Sequence, residues 1–508
     1  MAVINITEMP SQHIRRQLRL MSSGLTHLRA TRATQWCNGS FLHTGREKQA
    51  KNTAVPDFTK QLESLRASIT YQPPFCKGTL SVKDEDYILF YGKSKSGNAR
   101  RIHLAKAASD ELDHLESTCD AAPFGINNQN VLDETYRKAG KLDTSEFMTG
   151  FDPQRLGLLD TIRTDLFEGN ERRNITAELY KLNVYGKNSF FKAHKDTPRA
   201  EDMFGSLVIA FPTAHEGGSF ILLDSALMVA DRTKPCVAYI AFYSDVEHEI
   251  TPVKSGHRVT LTYNLYFTPD TAARRSGQIP RSDKQDTALA FKSTFQRLLD
   301  DPTFLPEGGK LGFNLRHEYP GRPDMDLQTL LGNLKGADAV IEEVCAELAL
   351  PSSVKVIMET NAWGEQLTRI MLSKYPDIRG VQDVGGEGRE LFEILREDYN
   401  GKLLDEVRSP FQEEYDEEDL ENLEDGEEPE DLTAYPDLTV HWVTETPEPN
   451  RVEGAFICYG NEPMVDSAYA NFCLVVEVEP AGKRQTTRRR RRRKPEGKKG
   501  NQPQSLIM

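Results

Sequence analysis

Between Lys181 and Phe267 the chain places His194-Lys195-Asp196, then His248, then Arg258. Two imidazoles and one carboxylate can hold a divalent metal such as Fe(II) on one face and leave three octahedral positions open. An isolated His-x-Asp is more often a solvated strand edge, so the surrounding elements decide. Residues 177–185, Ala-Glu-Leu-Tyr-Lys-Leu-Asn-Val-Tyr, are rich in β-formers. Gly186 and Asn188 mark a turn, and Phe190-Phe191 resumes an apolar run. Alternate side chains of a strand share a face, so His194 and Asp196 are expected to point one way and Lys195 the other.

The second half of the stretch strengthens the pattern. Val237–Tyr243 is an apolar β run, followed by a turn at Ser244-Asp245 and by Glu247-His248-Glu249. A loop punctuated by Pro252 and Gly256 leads into a strand over Val259–Phe267. Arg258, Thr260 and Thr262 fall on one face of it. An inward-facing Arg requires a buried anion, and its fork matches a carboxylate in two-point geometry.

This order of residues resembles the Fe(II)/2-oxoglutarate-dependent dioxygenases, in their prolyl 4-hydroxylase-like branch. It runs Tyr185-Gly186, His194-x-Asp196, Gly217-Gly218 opening a strand, His248 and Arg258, over roughly residues 160–270. Runs such as Phe191-Lys-Ala-His-Lys-Asp-Thr-Pro198 and Ser244-Asp-Val-Glu-His248 are similar to fungal members. The resemblance implies that His194, Asp196 and His248 hold iron. It implies that Arg258 binds the distal carboxylate of 2-oxoglutarate with Thr260 beside it, and that Tyr185 lines the cosubstrate pocket. The implied cofactors are Fe(II), 2-oxoglutarate and O2, with ascorbate as a further candidate. The implied reaction couples oxidative decarboxylation of 2-oxoglutarate to hydroxylation of a C–H bond. Phe211 stands where some relatives carry a Tyr that reaches the distal carboxylate. The segment 218–236 is shorter than the hairpin of those relatives and lacks its Trp.

The elements that must position these residues follow from periodicity. Strand, turn and strand succeed one another without helices, which indicates an antiparallel double-stranded β-helix, or jelly roll. A helix over 154–167, with Leu156, Leu159, Ile162 and Leu166 on one face, is expected to buttress it. The fold class expected is thus a mainly β core with a helical buttress, inside a larger α+β chain. The jelly-roll domain is assigned to 154–270. Before it, 56–153 reads as an α+β region, with strands at 77–82 and 86–91 and helices near 105–118 and 129–139. After it, 271–480 reads as α+β, with helices at 286–300 and 327–350. Strands are expected there at 354–359, 438–444, 456–458 and 472–478.

Charge and composition bound the rest. The chain has 508 residues, 38% hydrophobic and 28% charged, and a net charge of −14, which disfavours generic nucleic-acid binding by its body. The charge is uneven: 413–431 is an acidic loop, while 481–508 is a basic, disordered tail that reads as a localisation signal or a nucleic-acid patch. Residues 1–55 read as a disordered basic leader. Seven scattered cysteines without C-x-x-C, and no secretory signal, point to an intracellular protein, cytoplasmic or nuclear, with reduced thiols. No apolar run reaches the length of a membrane span.

Three functions remain open on the sequence. The first is a hydroxylase acting on a prolyl residue of an intracellular protein or peptide. The second is a scaffold on a retained jelly roll, bound to nucleic acid through its tail. The third is an oxygenase of a methylated base or small metabolite. The intact ligand set and the Arg-x-Thr strand favour an enzyme.

Overall fold

The computed structural model describes residues 58–484 apart from 94–96, 127–128, 168–173, 201, 223–224, 228–235, 269–284, 324, 363–365, 378–390, 406, 409–432 and 452–467. The leader, the acidic loop, the strand expected at 456–458 and most of the basic tail lie outside the described residues. Among the described residues no helix is long and apolar enough to cross a membrane.

Runs rich in Val, Ile, Tyr and Phe become strands, as their fit to a pleated surface dictates. In chain order these are β1 (Phe75–Leu80), β2 (Asp120–Ala121), β3 (Arg137–Lys138), β4 (Gly140–Asp143), β5 (Ile175–Tyr185) and β6 (Phe190–His194). Then come β7 (Met203–Ala210), β8 (Phe220–Leu222), β9 (Ser225–Leu227), β10 (Val237–Tyr243), β11 (His248–Ile250) and β12 (Arg258–Phe267). They form two antiparallel sheets, one ordered β1-β10-β7-β12-β5-β4-β2 and the other β9-β8-β11-β6-β3. This arrangement is consistent with a jelly-roll core. Strands from before residue 154 enter both sheets: β1 pairs with β10, β4 with β5, and β3 with β6.

Every residue of β7 and β10 is buried, which explains why both read as continuous apolar runs rather than as alternation. Leu182, Leu207, Ile240 and Leu261 are fully buried in the core they share with Phe191 and Phe220. Burial of each such side chain contributes about 1.5–3 kcal/mol. Leu158, Leu159, Ile162 and Leu166 of helix α1 (Leu158–Leu166) belong to the same core. The helix starts later than 154 because Gly157 takes φ +72 immediately before it.

The helix expected over 129–139 is absent. Gln129–Val131 and β3 are strands instead. Asp133 Oδ1 accepts the Thr135 N–H at 2.8 Å, a side-chain turn that competes with helix, and Leu132 is 68% exposed, so no apolar helical face forms.

The later residues build their own core around a separate sheet. Helix α2 (Gln285–Asp300), β13 (Gly309–Asn314), helix α3 (Gly336–Glu347), β14 (Ser352–Ala362), β15 (Gln366–Leu372) and β16 (Phe472–Val478) are its main elements. Strands β15, β14, β16 and β13 are neighbours in that order. Phe295, Phe313, Val356 and Phe472 are fully buried between the helices and this sheet. The single helix expected over 327–350 is broken. A 3-10 helix, Leu327–Asn333, precedes α3, and Gly336 at φ +47 turns the chain between them. The Gly336 N–H donates to the Tyr243 hydroxyl at 3.1 Å, so the break joins this region to β10.

Candidate functional site

Strands β6 and β11 are neighbours, and their register sets His194 directly opposite His248. The ring centroids are 4.2 Å apart. Strand β6 ends at His194, so Asp196 does not share its strand face as expected. The chain leaves the sheet, and the Asp196 N–H donates to Ser244 O at 3.1 Å, in the loop before β11. The Ser206 hydroxyl donates to Asp196 Oδ2. His194, Asp196 and His248 are all buried, and one potential ligand atom from each lies within 4.8 Å of the others. His248 Nε2 stands 3.8 Å from Asp196 Oδ1.

The imidazoles are fixed in one tautomer. His194 Nδ1 lies 2.8 Å from Lys192 O, and His248 Nδ1 lies 3.0 Å from Val246 O. A carbonyl only accepts, so each Nδ1 carries a proton, and in the neutral ring Nε2 keeps its lone pair for a metal. Burial, then the neighbouring His248, push the His194 pKa well below the usual imidazole range. It is therefore neutral, the form that ligates. On this donor chemistry the three residues fit a divalent metal of the Fe(II) type.

Strands β5 and β12 supply the floor of the adjoining pocket. Their register pairs Tyr185 with Arg258, Asn183 with Thr260 and Lys181 with Thr262, and all six line the pocket with the His-Asp-His cluster. Arg258 is 3% exposed, its Nη2 has no partner, and burial pushes its pKa down. The Tyr185 ring lies 5.6 Å from its guanidinium carbon. Gly218, at φ +66, allows this approach, since a Cβ there would stand 2.8 Å from Val253 and 3.1 Å from Arg258 Cδ. Phe211 does not line the pocket and packs edge-on against Phe151 at 6.1 Å.

Residues 180–266 match the 2OG-Fe(II) oxygenase superfamily. The match takes in the three clustered residues together with Tyr185, Arg258 and Thr260, so the chain carries a 2OG-Fe(II) oxygenase domain over about a sixth of its length. Among solved structures, the chain is similar to a prolyl-4-hydroxylase of Pseudomonas putida, at 16% identity, over 41% of this chain and 100% of that one, with a TM-score of 0.22. It is also similar to a prolyl hydroxylase of Trichoplax adhaerens in complex with a hypoxia inducible factor oxygen degradation domain peptide fragment. That likeness has 16% identity over 41% of this chain and 91% of that one, with a TM-score of 0.23. A third is a viral collagen prolyl hydroxylase of Paramecium Bursaria Chlorella virus-1, at 13% identity over 32% and 93%, with a TM-score of 0.21. No curated protein matches the chain.

The loop that leads into His248 is held from far along the chain. Asp245, whose side chain is 8% exposed, receives Lys335 Nζ at 2.8 Å, His317 Nδ1 at 3.0 Å and the Glu318 N–H at 3.2 Å. Lys195, between two of the clustered residues, reaches Glu318 at 2.6 Å. Asp338 accepts the N–H groups of Arg316 and His317 and the Tyr319 hydroxyl, which fixes the segment that carries these partners.

This network has an acid signature. Burial acts to raise the Asp245 pKa, but Lys335 and then His317 outweigh it and hold the carboxyl well below the usual range. A depressed carboxyl contributes stability above its unfolded pKa of about 3.9 and loses it as the pH falls toward the folded value. Asp338 acts in the opposite sense, since burial raises its pKa and its ionisation above about pH 4 opposes folding. The thermal midpoint should therefore drop below about pH 5, and Asp245→Asn should flatten that drop. An acid limb unchanged by Asp245→Asn would remove Asp245 as its cause.

Sequence reasoning missed Arg137, Ser206 and the Lys335–Asp245 network. Lys181 and Asn183 were legible, since they alternate with Tyr185 along β5. Arg137 carries no local signal: it reaches the pocket only because β3 pairs with β6.

Proposed function

We propose that the chain is an Fe(II)- and 2-oxoglutarate-dependent dioxygenase that hydroxylates a prolyl residue of an intracellular protein. The observation that carries the reading is one pocket with a buried His-Asp-His cluster and a buried Arg258 whose Nη2 has no partner. His194, Asp196 and His248 would hold the iron, and Arg258 would anchor the distal carboxylate of 2-oxoglutarate, with Thr260 beside it and Tyr185 against it. Fe(II) with 2-oxoglutarate and O2 supplies oxidative decarboxylation coupled to C–H hydroxylation, with succinate and carbon dioxide as co-products. Phe191 and Phe220 stack on the two imidazoles at 3.5 and 5.2 Å and keep water from that side. Ascorbate would serve as an accessory reductant.

The prolyl assignment is supported by the prolyl 4-hydroxylase-like order of the motif and by the local charge. Asp245 aside, which is buried against Lys335, Glu201, Asp202, Glu216, Asp224, Glu247 and Glu249 outweigh Lys187, Lys192, Lys195 and Arg199 around it. A base demethylase requires a basic surface and aromatic stacking for the extruded base. A peptide requires an open groove along a strand edge. The test compares succinate release with a lysate protein fraction and with the nucleic acid of the same lysate, each at physiological salt. Stimulation by the protein fraction is expected. Stimulation by nucleic acid alone, lost on nuclease treatment, overturns the choice, and no stimulation by either moves the assignment to a small metabolite or a silent scaffold.

A further inference from the structure

Arg258 is not the only buried guanidinium of the pocket. Arg137, on the edge strand β3, is 4% exposed and faces Phe191 in the β3–β6 pairing. Its guanidinium carbon stands 4.3 Å above the Phe191 ring, which in turn stacks on the His194 imidazole. Nη1 donates to Pro123 O at 2.7 Å and Nη2 to Asn183 Oδ1 at 3.1 Å, while Nε has no partner. A guanidinium has five N–H donors, and the two in use here meet neutral acceptors. No carboxylate of the described residues forms an ion pair with Arg137 or with Arg258.

A buried charge without a counter-ion is costly. Arg137 and Arg258 both line the pocket, and Asp196 is the one carboxylate among the described residues that line it. An anionic ligand would supply the counter-charge. One distal carboxylate for Arg258 does not answer Arg137. Arg137 is held on Asn183, two residues along β5 from Tyr185, the partner of Arg258 in the register. The two guanidiniums thus meet different residues of β5, Arg137 at Asn183 and Arg258 at Tyr185.

We propose that Arg137 is a second carboxylate-binding residue of this pocket, independent of Arg258. The carboxylate comes either from the metal-proximal end of the 2-oxo acid or from the substrate, and two arms of one experiment separate these sources. The first arm rests on the function proposed above, as does the second when run on protein saturated with 2-oxoglutarate.

The full-length chain, loaded anaerobically with Mn(II), is titrated with 2-oxoglutarate and with pyruvate, which lacks the far carboxylate. If Arg137 takes the proximal carboxylate, Arg137→Gln weakens both acids tenfold or more, whereas Arg258→Gln weakens only 2-oxoglutarate. In the second arm, protein saturated with 2-oxoglutarate is titrated with N-acetyl-L-proline and its neutral amide. If Arg137 takes a substrate carboxylate, wild type prefers the acid by tenfold or more and Arg137→Gln loses that preference. Arg137→Lys keeps the charge but not the fork, so it should retain part of the effect in whichever arm responds. It also carries the test should Arg137→Gln not fold. No response in either arm overturns the proposal and leaves Arg137 as a brace between the two sheets. Wild-type protein that binds Mn(II) but neither 2-oxo acid overturns the proposed function instead, and the acid-against-amide titration, repeated on the Mn(II)-loaded protein without 2-oxoglutarate, then decides the role of Arg137.

Discussion

Titrated anaerobically with Fe(II), the protein should bind one ion per chain, and His194→Ala or Asp196→Ala should abolish that binding. The three side chains are buried, and their donor atoms already lie within 4.8 Å of one another. The backbone carbonyls on His194 Nδ1 and His248 Nδ1 leave both Nε2 atoms free to ligate. Removal of a ligand should therefore cost far more than the ~10–100-fold that loss of an outer partner costs. Ser206→Ala provides the scale: its hydroxyl orients Asp196 Oδ2, so it should weaken the metal by about 10–100-fold without abolishing it. Stoichiometric iron in a chain that lacks both His194 and Asp196 side chains would sink the assignment.

Arg258→Ala should weaken 2-oxoglutarate binding while the metal stoichiometry stays at one. Truncating one partner of a buried, hydrogen-bonded charge pair costs about 2–5 kcal/mol, or roughly thirty-fold to a few thousand-fold in affinity. The high end is expected, because Arg258 is 3% exposed and pairs with no carboxylate among the described residues. Arg258→Lys should rescue only part of the loss, since an ammonium lacks the two-point fork. A calorimetric titration with unchanged 2-oxoglutarate affinity in Arg258→Ala would refute the anchor.

What was legible in the sequence is what depends on near neighbours. Val237–Tyr243 and Phe472–Val478 form strands with the bounds read from their apolar runs, because a strand buried on both faces needs no partner to be recognised. The alternation Arg258, Thr260, Thr262 placed the pocket floor for the same reason. Residues 129–139 show the converse. Their apolar spacing imitates a helix, but pairing of Arg137 with Phe191 and the Asp133 turn decide otherwise. The long-range contacts at the site were out of reach altogether. Arg137 meets Asn183 across 46 residues and Lys195 meets Glu318 across 123, and no local pattern encodes such pairs.

The hold of Lys335 on Asp245 also bears on how the protein is made. All three clustered residues leave the ribosome well before their fastenings do, since Lys335 trails Asp245 by 90 residues. At about 5–20 residues per second, that is a delay of roughly 5–20 s. During it the nascent chain exposes two imidazoles and a carboxylate whose connecting loop is not yet tied. The fastening segment must then close a long loop, which is a slow, non-local step. If His194, Asp196 and His248 hold the proposed metal, its capture in the final setting would be timed by the arrival of residues 316–338, and a chain that stops short of them would carry all three side chains and lack the clasp.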